Sequence, residues 1–171
     1  MAKGLPGLPT DNASPFASES FVLEHSDAPF GVVVVSDKEG LCRLPDKDNV
    51  LEKGGSTGVA VGVTMRHQNH DVPCVVPLVA PIGSGDVQYA LVGRAVSVIT
   101  MGSIFVRTET SVTRNQEVFY RITSRNLGAI RGDTDNGKAV KLNGAVFKSD
   151  AVAGEVVAIA LHMSAMVQEN Y

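Results

Sequence analysis

Valine is the feature that most narrows what this chain can fold into: 26 of its 171 residues are Val, against 11 Leu, and Val, Ile and Thr together number 41. A branched β-carbon loses rotamer freedom in a helix but packs well on a pleated surface, so the imbalance favours sheet. The 17 glycines and 8 prolines supply the turns that many short strands need. The expected fold is all-β, a β-sandwich or jelly-roll-like β-barrel, with an extended N-terminal arm.

Local patterning agrees. Val59, Val61 and Val63 repeat with period two and share a face, as do Val118, Tyr120 and Ile122. Val157, Ile159, Leu161 and Met163 alternate with Ala158, Ala160 and His162, and small residues opposite large ones indicate that both faces of that strand are covered. Further strands are expected at 21–24, 30–35, 41–44, 89–100 and 104–108, with Met101-Gly102 breaking the last two apart. Asp37 to Gly40, Thr113 to Gln116 and Asp133 to Gly137 carry turn chemistry, and 46–53 has room for one helical turn. Val72 to Ile82 holds Pro73, Pro77 and Pro81, which fits an edge segment or an extended excursion rather than a central strand.

Residues 1–18 differ from the rest. Gly4, Pro6, Gly7, Pro9 and Pro15 oppose regular pairing, and Leu5, Leu8 and Phe16 are apolar beads on that string. A frayed terminus and an arm that orders on a partner surface are equal alternatives here; in the second, those three residues are the anchors. The division expected is an arm at 1–18, a β-rich domain at 19–165 and a tail at 166–171.

Chemistry is sparse. A formal net charge of −3 without a basic run gives no reason to expect nucleic acid. The N-terminus lacks an apolar signal core and no stretch is long and unbroken enough for a bilayer, so a soluble protein made without export is expected. Cys42 and Cys74 stand far apart without a metal-type spacing; free thiols are favoured, with a disulfide open. His67 and His70 lack the further ligands a zinc site wants, and His25 and His162 are isolated. Asp37, Glu39, Asp46, Asp48, Asp133 and Asp135 lie in turns, where carboxylates commonly bond the backbone. Arg131-Gly132-Asp133 spells an adhesion tripeptide, but three-residue matches arise readily by chance. No catalytic residues, cofactor or metal ligands are expected.

A resemblance adds to this. The run Gly93-Arg-Ala-Val-Ser-Val-Ile-Thr-Met-Gly-Ser-Ile-Phe-Val106 is followed by Val112-Thr-Arg-Asn-Gln-Glu-Val-Phe-Tyr-Arg121 and later by Leu142-Asn-Gly-Ala-Val-Phe-Lys-Ser-Asp-Ala-Val-Ala-Gly-Glu-Val-Val-Ala-Ile-Ala-Leu161. With Phe30-Gly31-Val32-Val33-Val34, this order resembles the structural cement or head-decoration proteins of tailed bacteriophages, over about three-quarters of the chain. Asn115-Gln116 stands where that family's pattern has Gly-Asp.

The resemblance implies a non-enzymatic protein on the outside of a phage head that binds the major capsid protein and stabilises the expanded shell. It also implies a homo-oligomer, a trimer before a dimer, with Leu5, Leu8 and Phe16 as capsid or subunit contacts. The alternatives are another virion part (a tail-tube or head-completion protein), an enzyme using scattered carboxylates, and a β-sandwich adhesin.

Overall fold

The computed structural model describes residues 5–10, 16–51, 58–66, 89–123 and 125–162. Its strands are β1 (Ala17–Leu23), β2 (Ala28–Pro29), β3 (Val33–Ser36), β4 (Leu41–Cys42), β5 (Val59–Met65), β6 (Tyr89–Ala90), β7 (Ala95–Arg107), β8 (Glu117–Arg121), β9 (Ile130–Arg131), β10 (Ala139–Phe147) and β11 (Val156–His162). One helical turn, α1 (Lys47–Leu51), and a 3-10 turn at Asp135–Gly137 accompany them.

Nine strands form one sheet in the order β3-β5-β7-β11-β10-β8-β9, with β1 beside β7 and β4 beside β1; β2 and β6 pair separately. A parallel bridge from Thr108, just past β7, to Ile130 of β9 brings the last strand back to the third. The result is a nearly closed barrel, the all-β architecture that the valine excess implies. Inside it, Ile104, Val118, Ile130, Leu142, Phe147 and Ile159 are buried. Each contributes about 1.5–3 kcal/mol on leaving water. A second cluster, with Phe21, Leu23, Val34, Cys42, Val96 and Val98, lies between β1, β3, β4 and the first half of β7.

The elements depart from the sequence expectation in several places, and the strand expected at 89–100 is divided into β6 and the start of β7 by a turn at Leu91–Arg94. β7 runs unbroken through Met101-Gly102. Met101 is held on both sides there, by Ala17 of β1 and His162 of β11, so the glycine bends the strand without ending it. β10 escapes a period-two reading because its buried residues, Ala139, Leu142, Ala145 and Phe147, change phase twice, at Val140-Lys141 and at Asn143-Gly144. The pairing with β8 shifts register between Lys141 and Val146, so strict alternation is lost. The Thr113–Gln116 turn forms as expected, because Asn115 adopts φ +65, a conformation that Asn tolerates.

The pairing of β3 with β5 also slips, Val34 facing Gly62 while Val35 faces Ala60. Gly62 sits at φ +153, where a Cβ would collide with the Ile99 carbonyl oxygen and lie 2.8 Å from Val98 Cγ1. Backbone strain and overpacking together are expected to make Gly62→Ala cost about 3 kcal/mol in unfolding free energy. Urea titration checks this; a loss below about 1 kcal/mol would mean that the bulge relaxes freely.

Cys42 is a free thiol at 1% exposure. Burial, with Glu24 adding, pushes its pKa from 9.0 up to about 11. Its folded pKa is raised, so stability is full below pH 9 and falls as pH rises towards 11, while only the unfolded chain gives up its proton. The slope from this group is about 1.4 kcal/mol per pH unit. Tyr120, which burial pushes up to about 12, adds a later component. Urea titrations from neutral to alkaline pH should show Cys42→Ala losing less stability across that window than the parent chain, and parallel curves would refute the account. Cys74 lies outside the described residues.

Candidate functional site

Three of the carboxylates that could have served acid–base chemistry are instead gathered around arginines at the barrel seam. Glu109 Oε2 accepts from Arg121 Nε at 2.8 Å and faces Arg131 Nη1 at 3.4 Å. Asp135 Oδ2 accepts from Nη1 of both arginines at 2.9 Å, and Asp133 Oδ1 takes Arg131 Nε at 2.7 Å and Nη2 at 2.6 Å. Asn126 Nδ2 donates to the other oxygen of Glu109 at 3.0 Å. An open surface depression is lined by Glu109, Arg121, Arg125 and Asn126, so the acid it holds is engaged through both oxygens. Burial pulls the Arg121 pKa down, but the hydrogen bond and charge of Glu109, then Asp135, outweigh it and leave it above its ordinary value.

The same clasp accounts for Arg131-Gly132-Asp133. The Arg131 side chain is 7% exposed and its guanidinium folds back on Asp133. Gly132 N–H donates to Thr110 Oγ1 at 2.9 Å, and its carbonyl accepts from Gln116 Nε2 at 2.8 Å. The tripeptide is a structural corner and is not displayed as an adhesion ligand. Asp37 likewise pairs with Arg43 at 2.7 Å. His25 and His162 are exposed, and His67 and His70 lie outside the described residues. Among the described residues, no group of three or more His, Cys, Asp or Glu is placed to hold a metal ion.

The feature that remains is a surface. Along β7, Ile104 and Val106 point inward and Ser103 and Phe105 outward; along β11, Val157, Ile159 and Leu161 point inward and Ala158 and Ala160 outward. Register joins these into rows. Ser103 faces Ala160, which faces Val146 of β10; Phe105 faces Ala158; Met101 lies between Ala17 and His162. A bridge from Pro9 to Ile104 lays residues 8–10 along the other edge of β7, so Leu8 falls beside Phe105 and Thr10 beside Ser103. Met101 and Val146 are 39% and 40% exposed, and the small residues between them keep the face flat. Lys148, whose Nζ reaches Ser103 Oγ at 3.2 Å, and the Lys141–Glu117 pair border it. A flat outward face of Met101, Phe105, Ala158, Ala160 and Val146, crossed by Ser103 and edged by charge, has the form of a surface that could take a partner.

Of the three sequence anchors, Leu8 sits half-buried at the edge of this face. Leu5, 37% exposed, is one turn away, its carbonyl accepting from Leu8 N–H at 3.1 Å. Phe16, 44% exposed, precedes the Ala17 that pairs with Met101. Sequence reasoning missed Met101, Phe105 and Val146 as members. The signal present was the alanine pair in β11, where a solvent-facing strand would carry polar residues.

Among solved structures, a chain from "The capsid of Myoviridae Phage XM1" superposes with a TM-score of 0.64 at 17% identity, covering 94% of this chain and 92% of that chain; at this identity the likeness speaks for the fold. No curated protein matches. The family model described as Structural cement protein (E217 gp24/Pam3 gp6) matches residues 1–162. With that match running through every strand of the barrel, the chain belongs to the phage structural cement protein family.

Proposed function

We propose that this protein binds the outer surface of an assembled phage head, against the major capsid protein, and stabilises the expanded shell without catalysing a reaction. The observation that carries this is the family match over residues 1–162. The flat face of β7, β11 and β10, with Leu8 at its edge and Leu5 and Phe16 nearby, is the proposed contact. The mechanism is mass action: a ligand that binds only the expanded shell lowers its free energy relative to dissociated or unexpanded states. Many copies around one particle multiply the effect. Closed symmetry matching the shell favours a homo-oligomer, a trimer before a dimer. The chemistry asks for no cofactor, metal, nucleic acid or membrane, and the protein would be made in the host cytoplasm and reside on the virion exterior.

The test is co-sedimentation of purified protein with expanded heads that lack it, unexpanded heads serving as control. Saturable binding to expanded heads, at a copy number set by the lattice, is expected. Failure to bind either form would overturn the reading and leave the tail-tube, head-completion and enzyme alternatives.

A further inference from the structure

We infer that the outer edge of β1 receives an extended strand of the shell, one that carries a lysine or arginine opposite Glu19; this rests on the reading that the protein sits on a head. β1 pairs with β7 from Ala17 to Val22 but with β4 only at Val22 and Leu23. Leu23 N–H donates to the Arg94 carbonyl at 3.1 Å, on the β7 side. Val22 and Glu24 N–H donate the other way, to the Gly40 and Cys42 carbonyls, both at 2.8 Å. Strand alternation therefore turns the N–H and C=O groups of Ser18 and Ser20 away from β7, into the space that β4 is too short to fill. Ser18, Glu19 and Ser20 are exposed, and those four groups meet no backbone partner among the described residues. The two ends of the strand order are covered by contrast. β3 is bridged to Arg43 at Val35 and donates from Val33 N–H to the Gly128 carbonyl at 2.9 Å, and β9 is bridged to Thr108.

An unpaired edge is a template for another strand unless Pro or Lys blocks it, and β1 has neither. Its one charge decides what fits. Glu19 shares a face with Phe21 and Leu23 but is exposed where they are buried. Its own N–H and C=O are turned to β7, so towards an added strand it holds a non-hydrogen-bonded position, where facing side chains come closest. A second copy added antiparallel about a two-fold axis at Glu19 would set carboxylate against carboxylate, and an apolar residue there would leave the charge stripped of water. A lysine or arginine matches it, so the carboxylate selects against self-pairing and for a basic strand. The place of the edge points to the shell as the source. Ala17, at its start, lies beside Met101 of the flat face, so a shell held on that face borders the open edge. Phe16 and Val22, 44% and 40% exposed, flank it and offer apolar contact at both ends.

The test reads amide hydrogen exchange over residues 16–21 in the free protein and in protein bound to expanded heads that lack it. Binding is expected to slow two amides, Ser18 and Ser20, which exchange fast in the free protein, whereas the Glu19 and Phe21 N–H groups already face β7. Ser20→Pro removes one of those donors and sets a ring on the edge without breaking a bond to β7. It should weaken head binding at least about tenfold while shifting the urea midpoint little, and Glu19→Lys should weaken binding to a similar degree. Unchanged exchange at Ser18 and Ser20 on bound heads, or undiminished binding by either variant, would overturn the inference and leave the head-binding reading standing. Slow exchange of the same two amides in concentrated free protein would also overturn it, because the edge would then be paired with a second copy. Heads that take up none of the parent chain refute the functional reading, and this inference with it.

Discussion

Arg131→Ala is expected to lower the unfolding free energy by about 3–5 kcal/mol. The side chain is 7% exposed and holds Asp133, Asp135 and Glu109 together with Arg121. Its removal leaves Glu109 and Asp135 sharing one arginine in a partly desolvated corner and takes Asp133's arginine away. Arg131→Lys should recover only part of the loss, because a single ammonium cannot reproduce the fork that meets Asp133 through Nε and Nη2. The control is Lys141→Ala, which breaks a pair whose side chains are 45% and 58% exposed and should cost about 0–1 kcal/mol. Urea titration of the three variants measures the ranking. A loss at Arg131 no larger than at Lys141 would mean that the clasp is ornamental.

The size of that effect follows from where the clasp sits. β9 pairs with β8 at Phe119–Arg131 and Tyr120–Ile130, with Arg121 bonded to Ala129 and Gly128 just beyond, and the return to β7 is made by the Thr108–Ile130 bridge and the Glu109 N–H donating to the Ile130 carbonyl at 2.8 Å. A two-residue strand cannot close a barrel securely by backbone bonds alone. Side-chain ion pairs from Glu109, Arg121, Arg131 and Asp135 complete the closure, so their loss opens a seam beside the main core.

The strands with unbroken alternation were legible from the residues: Val118 to Ile122 and Val157 to Leu161 lie in strands of the barrel sheet or, for Ile122, directly beside one, whereas Val59, Val61 and Val63 lie in β5 but do not share a face, because the slip opposite Val34 and Val35 leaves Val59 exposed and Val63 in the core. β10 was hidden because its bulge changes the phase of burial, and β7 was divided because Gly102 reads as a stop when its two neighbours are unknown. The clasp was hidden for a different reason. Arg131 and Asp133 announce a turn, but Glu109 joins them from across the seam, and only register decides which acid meets which arginine. The flat outward face of β7, β11 and β10 was half legible. The alanines of β11 showed that its outward side is not built for solvent, while the rows that join them to Phe105, Val146 and Leu8 come from pairing that sequence periodicity does not determine.

Ala160→Glu should weaken binding to expanded heads roughly a hundredfold, about 3 kcal/mol, while leaving the fold intact. Ala160 lies mid-row between Ser103 and Val146, so a carboxylate there stands in the centre of the proposed contact and must be stripped of water with only the neighbouring Lys148 to offset the loss. In the isolated protein the same carboxylate points outward beside Lys148 and Ser103 and stays hydrated, which is why stability should change by under about 0.5 kcal/mol. The contrast separates the two roles of β11: Ile159→Ala, one residue away but inward, should cost about 2–5 kcal/mol of stability by opening a cavity in the barrel. Co-sedimentation and urea titration on both variants read the two axes independently. If Ala160→Glu binds heads as tightly as the parent chain, the face of β7, β11 and β10 is not where the shell is held, and the contact must be sought elsewhere on the barrel.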